Sequence, residues 1–279
     1  NPFAVLSAQI PVAVMQGYII LMVLLVVGGT ILDMLHKKSA QYFFANAKKA
    51  RKSAKREVGA GEKVGMAVAV VLNEVVTSGE FCNVRRRLSH LLTMWGFIIF
   101  VTMSAILIFV YPTPATPAPT ILSQLWHIGA LMLAVGGYWF WFFIRVDVSA
   151  EGLTWWRLDR ADLFILSLLA TSSFALIWSY TQHNAIAGWS TLSLILFIGS
   201  SVMLFGGVYW SKFAHMFFKP AAAFQKRETR ADGSRENLPA EYDLTDPAVQ
   251  AKFPDIPEYM GKNPAYMGDG IRREPAKHY

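Results

Sequence analysis

Histidine is the residue type whose placement in this chain suggests chemistry. Five of the six histidines stand at or near the ends of long apolar segments: His36, His90, His127, His183 and His215. A b-type haem takes two imidazoles from different helices at a similar depth. His90 and His215 meet this requirement at one end of the segments, and His127 and His183 meet it less well at the other end. The pattern predicts one b haem between His90 and His215 and leaves open a second between His127 and His183.

The residues around the first pair suit a haem but have an ordinary interpretation as well. Gly96 and Phe97 accompany His90 on the second segment, and three glycines precede His215: Gly199, Gly206 and Gly207. Small residues let a flat ring approach the backbone, but they also permit close packing of membrane helices. A histidine at a membrane edge is most often a polar group among lipid head groups. Both interpretations stay open on the sequence alone.

Basic residues lie next to the same two histidines. Arg86, Arg87 and Lys212 are predicted to hold the propionates of a haem or to lie close to a bound quinone, because guanidinium and ammonium groups bind carboxylates strongly. They would serve equally well as anchors to the inner leaflet.

The sequence predicts that transmembrane helices carry these histidines and basic residues. The composition is 54% hydrophobic and 16% charged, against roughly a quarter charged in a soluble globular domain. Apolar segments run over residues 10–32, 91–111, 121–144, 163–180 and 191–210. Each approaches or exceeds the ~20 residues that cross a bilayer as a helix, and a helix satisfies its own backbone in lipid. We predict an all-α integral membrane protein with a bundle of five transmembrane helices.

The loops predict the orientation of that bundle. Lysines and arginines crowd the connection over residues 36–89, whereas residues 111–120 and 181–190 carry no charge. Because positive loops stay in the cytoplasm, we expect the N-terminus outside and the C-terminus inside, in a prokaryotic cytoplasmic (inner) membrane. The pI of about 9.5 follows from this arrangement beside anionic lipid. Nucleic acid is therefore not an expected partner.

The sequence divides into a membrane domain, residues 1–218, and a polar tail, residues 219–279. The tail contains few aliphatic residues, so we expect an extended cytoplasmic segment. It contains two near-copies, 257–261 (PEYMG) and 264–268 (PAYMG). Tyrosine and methionine on a flexible chain suit coupled binding, which predicts that Tyr259, Met260, Tyr266 and Met267 dock a soluble partner. A merely solvated tail is the alternative.

Two stretches resemble a known family. Residues 86–90 (RRLSH) and 210–220 (WSKFAHMFFKP) are similar to the nitrate reductase gamma-like cytochrome b family, which includes a membrane subunit of heterodisulfide reductase. The end of the tail, residues 268–279, looks like that of the membrane anchor subunits of adenylylsulfate reductase. The resemblance implies a five-span subunit that exchanges electrons between quinone and a peripheral iron–sulfur protein.

The resemblance also implies site residues and partners. The family's inner haem ligands match His90 and His215. Nitrate reductase gamma subunits carry a second histidine on each of these two spans, where this chain has residues such as Phe100 and Phe197, so two haems bound in that manner are excluded. The implied partners are cytoplasmic flavin and iron–sulfur subunits, namely the alpha and beta subunits of adenylylsulfate reductase, which would carry out all chemistry on sulfur.

Three function hypotheses remain from the sequence. The first is a haem- and quinone-binding electron-transfer anchor. The second is a haem-free anchor that binds quinone directly or only tethers its partner. The third is a transporter component, which is disfavoured because no charged residue stands in the middle of a span. The single cysteine, Cys82, excludes an iron–sulfur cluster held by this chain alone.

Overall fold

The computed structural model describes residues 1–79, 81, 83–147, 152–211, 213–238 and 246–252. Within these ranges the chain is helical and contains no β-strand. Five helices are long and apolar enough to cross a membrane. The predicted number and type of spans are thereby confirmed.

Ten helices follow one another along the described part of the chain. They are α1 (Pro2–Leu6), α2 (Val12–Lys37), α3 (Ser39–Ser53), α4 (Ala60–Val70), α5 (Val84–Phe109), α6 (Thr120–Trp139), α7 (Leu163–His183), α8 (Ala187–Gly206), α9 (His215–Ala231) and α10 (Pro247–Lys252). The five spans are α2, α5, α6, α7 and α8. A π-helical turn continues α4 over Val71–Val76 and another continues α6 over Phe140–Ile144, and a 3₁₀ turn over Arg160–Asp162 precedes α7.

The spans run further at their charged ends than the apolar segments predicted. Span α2 continues to Lys37, and α5 begins at Val84, where the side chain of Asn83 accepts bonds from the Arg85 and Arg86 amides. Hydropathy marks the part of a helix that lies in hydrocarbon, whereas backbone bonding and capping decide where the helix ends. We call the end of the bundle that carries these charges the basic end and the opposite end the neutral end.

Glycines bring α5 and α6 into close contact. A Cβ on Gly96 would lie 2.6 Å from the Leu133 amide nitrogen, and one on Gly136 would lie 2.6 Å from Thr93 Oγ1. Gly96 therefore serves helix packing, which is the ordinary interpretation of the two that the sequence left open. Span α2 packs more loosely, with 11% of its apolar window buried against 50% for the fourth span.

An ion pair closes the connection between α6 and α7 at the basic end. Arg145, fully buried, donates from Nε and Nη2 to the two carboxylate oxygens of Asp162, at 3.2 and 2.6 Å. Its remaining bonds go to the carbonyls of Thr154 and Arg157, and its guanidinium lies over the Trp141 ring. Asp162 is thus a structural partner of Arg145.

Helix α9 corrects the predicted domain boundary. The extended tail was expected from residue 219, but α9 runs to Ala231 and packs against α4. Two ion pairs join α9 to α4 and its π turn, Lys63–Glu228 at 2.8 Å and Arg227–Glu74 at 2.9 Å. The prediction was wrong here because it counted only aliphatic residues, and these contacts are ionic.

The short apolar stretch before α5 forms α4 and the π turn that continues it. Its polar side faces α9, while Val64 and Val68 on its other side are exposed. Its far end is held against α5, because Trp95 Nε1 donates to the Val76 carbonyl at 3.2 Å. The π turn therefore lies beside the first turns of a membrane span.

Candidate functional site

His90 stands at the basic end of α5, packed by the segment that precedes the helix. Its Nδ1 lies 2.9 Å from the hydroxyl of Ser78, a fully buried residue with a φ of 50°. The Phe81 ring packs on the imidazole with 4.8 Å between ring centroids. These contacts fix the orientation of the ring.

His215 is the first residue of α9 and lies at the same end of the bundle. Its ring packs edge-on against Phe164 of α7, with centroids 6.0 Å apart. One turn later, Lys219 Nζ lies 5.4 Å from the centre of the Phe81 ring. Phe81 thus contacts His90 and lies near Lys219 of α9, and the structure places both predicted histidines at the basic end of the bundle.

Aromatic side chains fill the space beneath this pair. Phe213, only 2% exposed, contacts Phe97 of α5 at 6.1 Å and Phe164 of α7 at 5.6 Å. Phe205 of α8 completes the cluster. These packed rings are typical of a closed core, and they would also suit a flat, apolar ligand that lies above them.

The basic residues predicted beside the histidines have distinct places. The Arg86 guanidinium lies over Phe81 at 5.7 Å, close to His90. Arg87 Nε donates to the Thr77 carbonyl at 2.7 Å, so this residue secures the segment before α5. Lys212 lies outside the described residues.

The second predicted pair, at the neutral end, is arranged differently. His127 Nδ1 bonds to the Ser123 carbonyl and Nε2 to the Ser179 hydroxyl, both at 2.7 Å. His183 is exposed at the last turn of α7. Both nitrogens of His127 are engaged, Nδ1 within α6 and Nε2 with α7, so we do not carry an outer haem forward.

Phe100 and Phe197, on two neighbouring spans, face one another. The rings of Phe100 on α5 and Phe197 on α8 meet with centroids 6.2 Å apart. Trp178 stacks on Phe197 at 5.8 Å. Three aromatic rings therefore pack together in this part of the bundle.

An apolar cavity of about 380 Å³ is the feature that sequence reasoning did not find. It lies between α2, α5 and α8 and is lined by Met22, Val101 and Leu194 among others. At the neutral end Phe3 and Leu6 of α1 line it, and at the basic end Phe213 and Phe217 do so. The volume falls in the ~300–1,000 Å³ range of pockets for small molecules.

Few polar groups line this cavity. The hydroxyls of Tyr18 and Ser201 share a hydrogen bond of 2.6 Å across α2 and α8. The Ser104 hydroxyl accepts from Trp126 Nε1 at 2.9 Å. The lining exposes almost no polar surface, so a ligand there would be mainly apolar, and the two hydroxyls bind each other at its edge. In sequence, a tyrosine inside the first span was the available signal.

His90 and His215 fit a b haem in residue type and in their common depth along the bundle. The two imidazoles stand at the same end of the bundle, and the Ser78 hydroxyl on Nδ1 is the kind of outer contact that orients a ligating histidine. The lining of the cavity includes neither His90 nor His215. Over the described ranges, no group of three or more His, Cys, Asp or Glu side chains gathers for a metal ion.

The four residues predicted to dock a partner, Tyr259, Met260, Tyr266 and Met267, lie outside the described residues. Comparisons of the chain with protein-family models, curated proteins and solved structures give no match. The geometry described above therefore supplies the grounds for a functional proposal, together with the sequence resemblance.

Proposed function

We propose that this chain is the membrane anchor subunit of a quinone-linked oxidoreductase, and that quinone binds in the cavity between α2, α5 and α8. The cavity is the observation that carries the proposal. Its lining is almost entirely apolar, with the Tyr18–Ser201 hydroxyl pair in its wall. A quinone combines an apolar ring and chain with two carbonyl oxygens, which such hydroxyls can bind.

Filling the cavity should remove quinone binding. Val101 lines the cavity from α5, and tryptophan there would occupy space that the ligand needs. We expect Val101→Trp to raise the dissociation constant of decylubiquinone by about ten-fold or more, equivalent to ~1.4 kcal/mol. The measurement is a binding titration of the purified chain in lipid nanodiscs.

The matched control is Val202→Trp, which adds the same side chain to the exposed side of α8, away from the cavity. This variant should bind quinone as the parent chain does. Equal binding by both variants would contradict the placement of quinone, and failure of the parent chain to bind either decylubiquinone or a short-chain menaquinone would contradict the function.

A b haem between His90 and His215 is the second part of the proposal. The Ser78 contact on His90 and the aromatic surroundings of both rings support it. Such a haem would supply a one-electron carrier between quinone and a soluble partner. Within the chain, Ser78 would orient His90, and Arg86 would stand near the edge of the site, where propionates need a cation.

The spectrum of the reduced chain tests this part. We expect a haem alpha band after dithionite reduction, and its loss in His90→Ala and in His215→Ala. His183→Ala, at an exposed position, should keep the band. A parent chain without the band would leave the haem-free anchor, which binds quinone directly, as the correct form of the proposal.

The soluble partner would bind at the basic end of the bundle. Helix α3 alone carries Lys48, Lys49, Arg51 and Lys52 and no acidic residue, which favours a cytoplasmic location and an acidic partner surface. The sequence resemblance supports the flavin and iron–sulfur subunits of adenylylsulfate reductase as that partner, in a prokaryotic inner membrane. The tail beyond α9, with Tyr259 and Tyr266, would complete the docking surface.

A further inference from the structure

One carboxylate within the spans is almost completely buried and has no role in the proposal so far. Asp33 stands in the last turns of α2 and is 1% exposed. The apolar segment predicted for this span ended at residue 32, so the sequence placed Asp33 at the surface. Buried acids in membrane helices are costly and usually functional.

Asp33 lies on the side of α2 that faces the cavity. The buried residues of this helix are Met15, Met22 and Asp33, and both methionines line the cavity. Val26, another lining residue, precedes Asp33 by seven positions, which places the two on one face about 10 Å apart along the axis. The carboxylate therefore sits between the cavity and the basic end.

Between the cavity and the basic end, two polar atoms of α2 are buried without a hydrogen-bond partner among the described residues. They are Thr30 Oγ1, one turn beyond Val26, and Asp33 Oδ1. The Lys37 ammonium lies against the same carboxylate oxygen as an ion pair rather than as a directed hydrogen bond, and Lys37 is half exposed. Buried polar atoms of this kind are ordinarily satisfied by water.

Ionisable side chains lie between the Asp33 carboxylate and the protein surface. Lys37 and His36 follow Asp33 on α2, and the ring of Tyr209, from the segment after α8, packs on His36 with centroids 5.7 Å apart. Gly29 keeps α2 close to that segment, because an added Cβ would lie 2.9 Å from Val208 Cβ. The carboxylate is thus shielded from lipid on this side while its ion-pair partner reaches solvent.

We infer that Asp33 and Thr30, with water between them, form a proton route from the basic end to the cavity. The inference rests on the proposed binding of quinone. Reduction of quinone takes two electrons from a reduced iron–sulfur protein and two protons, one for each carbonyl oxygen, where an O–H bond forms. The Asp33 carboxylate takes up a proton from water at the basic end, which forms its O–H bond, and then breaks that bond to release the proton toward Thr30. Oxidation of quinol runs the same transfers in reverse.

Infrared difference spectroscopy tests this route without any partner protein. The chain in nanodiscs, with bound decylubiquinone, is reduced and oxidised at an electrode, so mediators supply the electrons. We expect a carbonyl-stretch change of a protonated carboxyl that shifts in D₂O and is absent in Asp33→Asn. In Thr30→Val the same change should develop at least several-fold more slowly, whereas Thr102→Val, which removes an exposed hydroxyl of α5, should leave it unchanged.

The outcomes separate the inference from the function on which it rests. A carboxyl signal that persists in Asp33→Asn, or its absence from a parent chain that binds and reduces quinone, would overturn the proton route and leave the proposed function standing. A parent chain that binds no quinone would remove the function itself. Retained quinone affinity in Asp33→Asn shows that the variant is folded.

Discussion

Replacement of Arg145 with alanine should lower the free energy of unfolding by ~3–5 kcal/mol, because it leaves a buried carboxylate without its partner. Arg145 has no exposed surface, and its guanidinium binds both oxygens of Asp162 as well as two backbone carbonyls. The Asp162 carboxylate would remain buried after the substitution. The measurement is the denaturation midpoint of the purified chain in mild detergent, by circular dichroism.

The matched control is Arg157→Ala in the same connection. Its ion pair with Asp159 is long, at 3.9 Å, and its side chain is 65% exposed. Exposed pairs contribute ~0–1 kcal/mol, so this variant should unfold close to the parent. Replacing both Arg145 and Asp162 with leucine should restore part of the loss, since no unpaired charge remains. Similar midpoints for Arg145→Ala and Arg157→Ala would show that the buried pair does not hold the two spans together.

Substitution of Gly96 with alanine should also destabilise the bundle strongly. The added methyl group would lie 2.6 Å from the Leu133 amide nitrogen and 2.9 Å from the Gly129 carbonyl oxygen. Both are backbone atoms, so α5 and α6 must move apart to make room. We expect a loss of about 1–3 kcal/mol, as for other overpacked contacts, measured as the midpoint of denaturation in increasing dodecyl sulfate.

Gly199 provides the comparison, because it is also a helical glycine in a span. A Cβ there meets no atom within 4 Å. Alanine raises helix propensity by about 1 kcal/mol relative to glycine, so Gly199→Ala should be neutral or stabilising. The two variants make the same chemical change and differ only in their neighbours. A loss of equal size at both positions would mean that the close contact of α5 and α6 contributes little.

The five spans could be predicted because lipid imposes a simple rule on sequence. An apolar run such as residues 121–144 has few ways to satisfy its backbone in hydrocarbon, and the structure has a helical span over Thr120–Ile144. The ends of the helices were harder to predict from the sequence. Residues 84–90 are too polar for an apolar segment, yet they form two turns of α5, since the Asn83 cap and intrahelical bonds hold them.

Helix α9 shows what hydropathy could not reveal. Its sequence is polar and contains Pro220, so it was assigned to an extended tail. The helix is secured by ion pairs to residues more than a hundred positions earlier, Lys63 and Glu74. Pairing of this kind depends on tertiary arrangement, and a single sequence carries no signal for it.

The candidate site was predictable in its residue types and less so in its surroundings. The spacing of His90 and His215 placed them at one end of the bundle, where the structure has them. It did not reveal Ser78 on the imidazole or the ring of Phe81 beside it. Nor could it show that His127 binds Ser179 on a neighbouring helix, since one sequence does not define which faces meet.

Helix α1 has a consequence for how a ligand reaches the cavity. Phe3 and Leu6 are buried in the bundle, and Phe3 packs against Trp126 and Trp178, so the neutral end is closed by apolar side chains. Phe217 lines the opposite end. Apolar side chains at both ends favour molecules already dissolved among acyl chains over ions and sugars. Occupancy should therefore follow the mole fraction of ligand in the bilayer rather than its aqueous concentration, and diluting the membrane with inert lipid should empty the site.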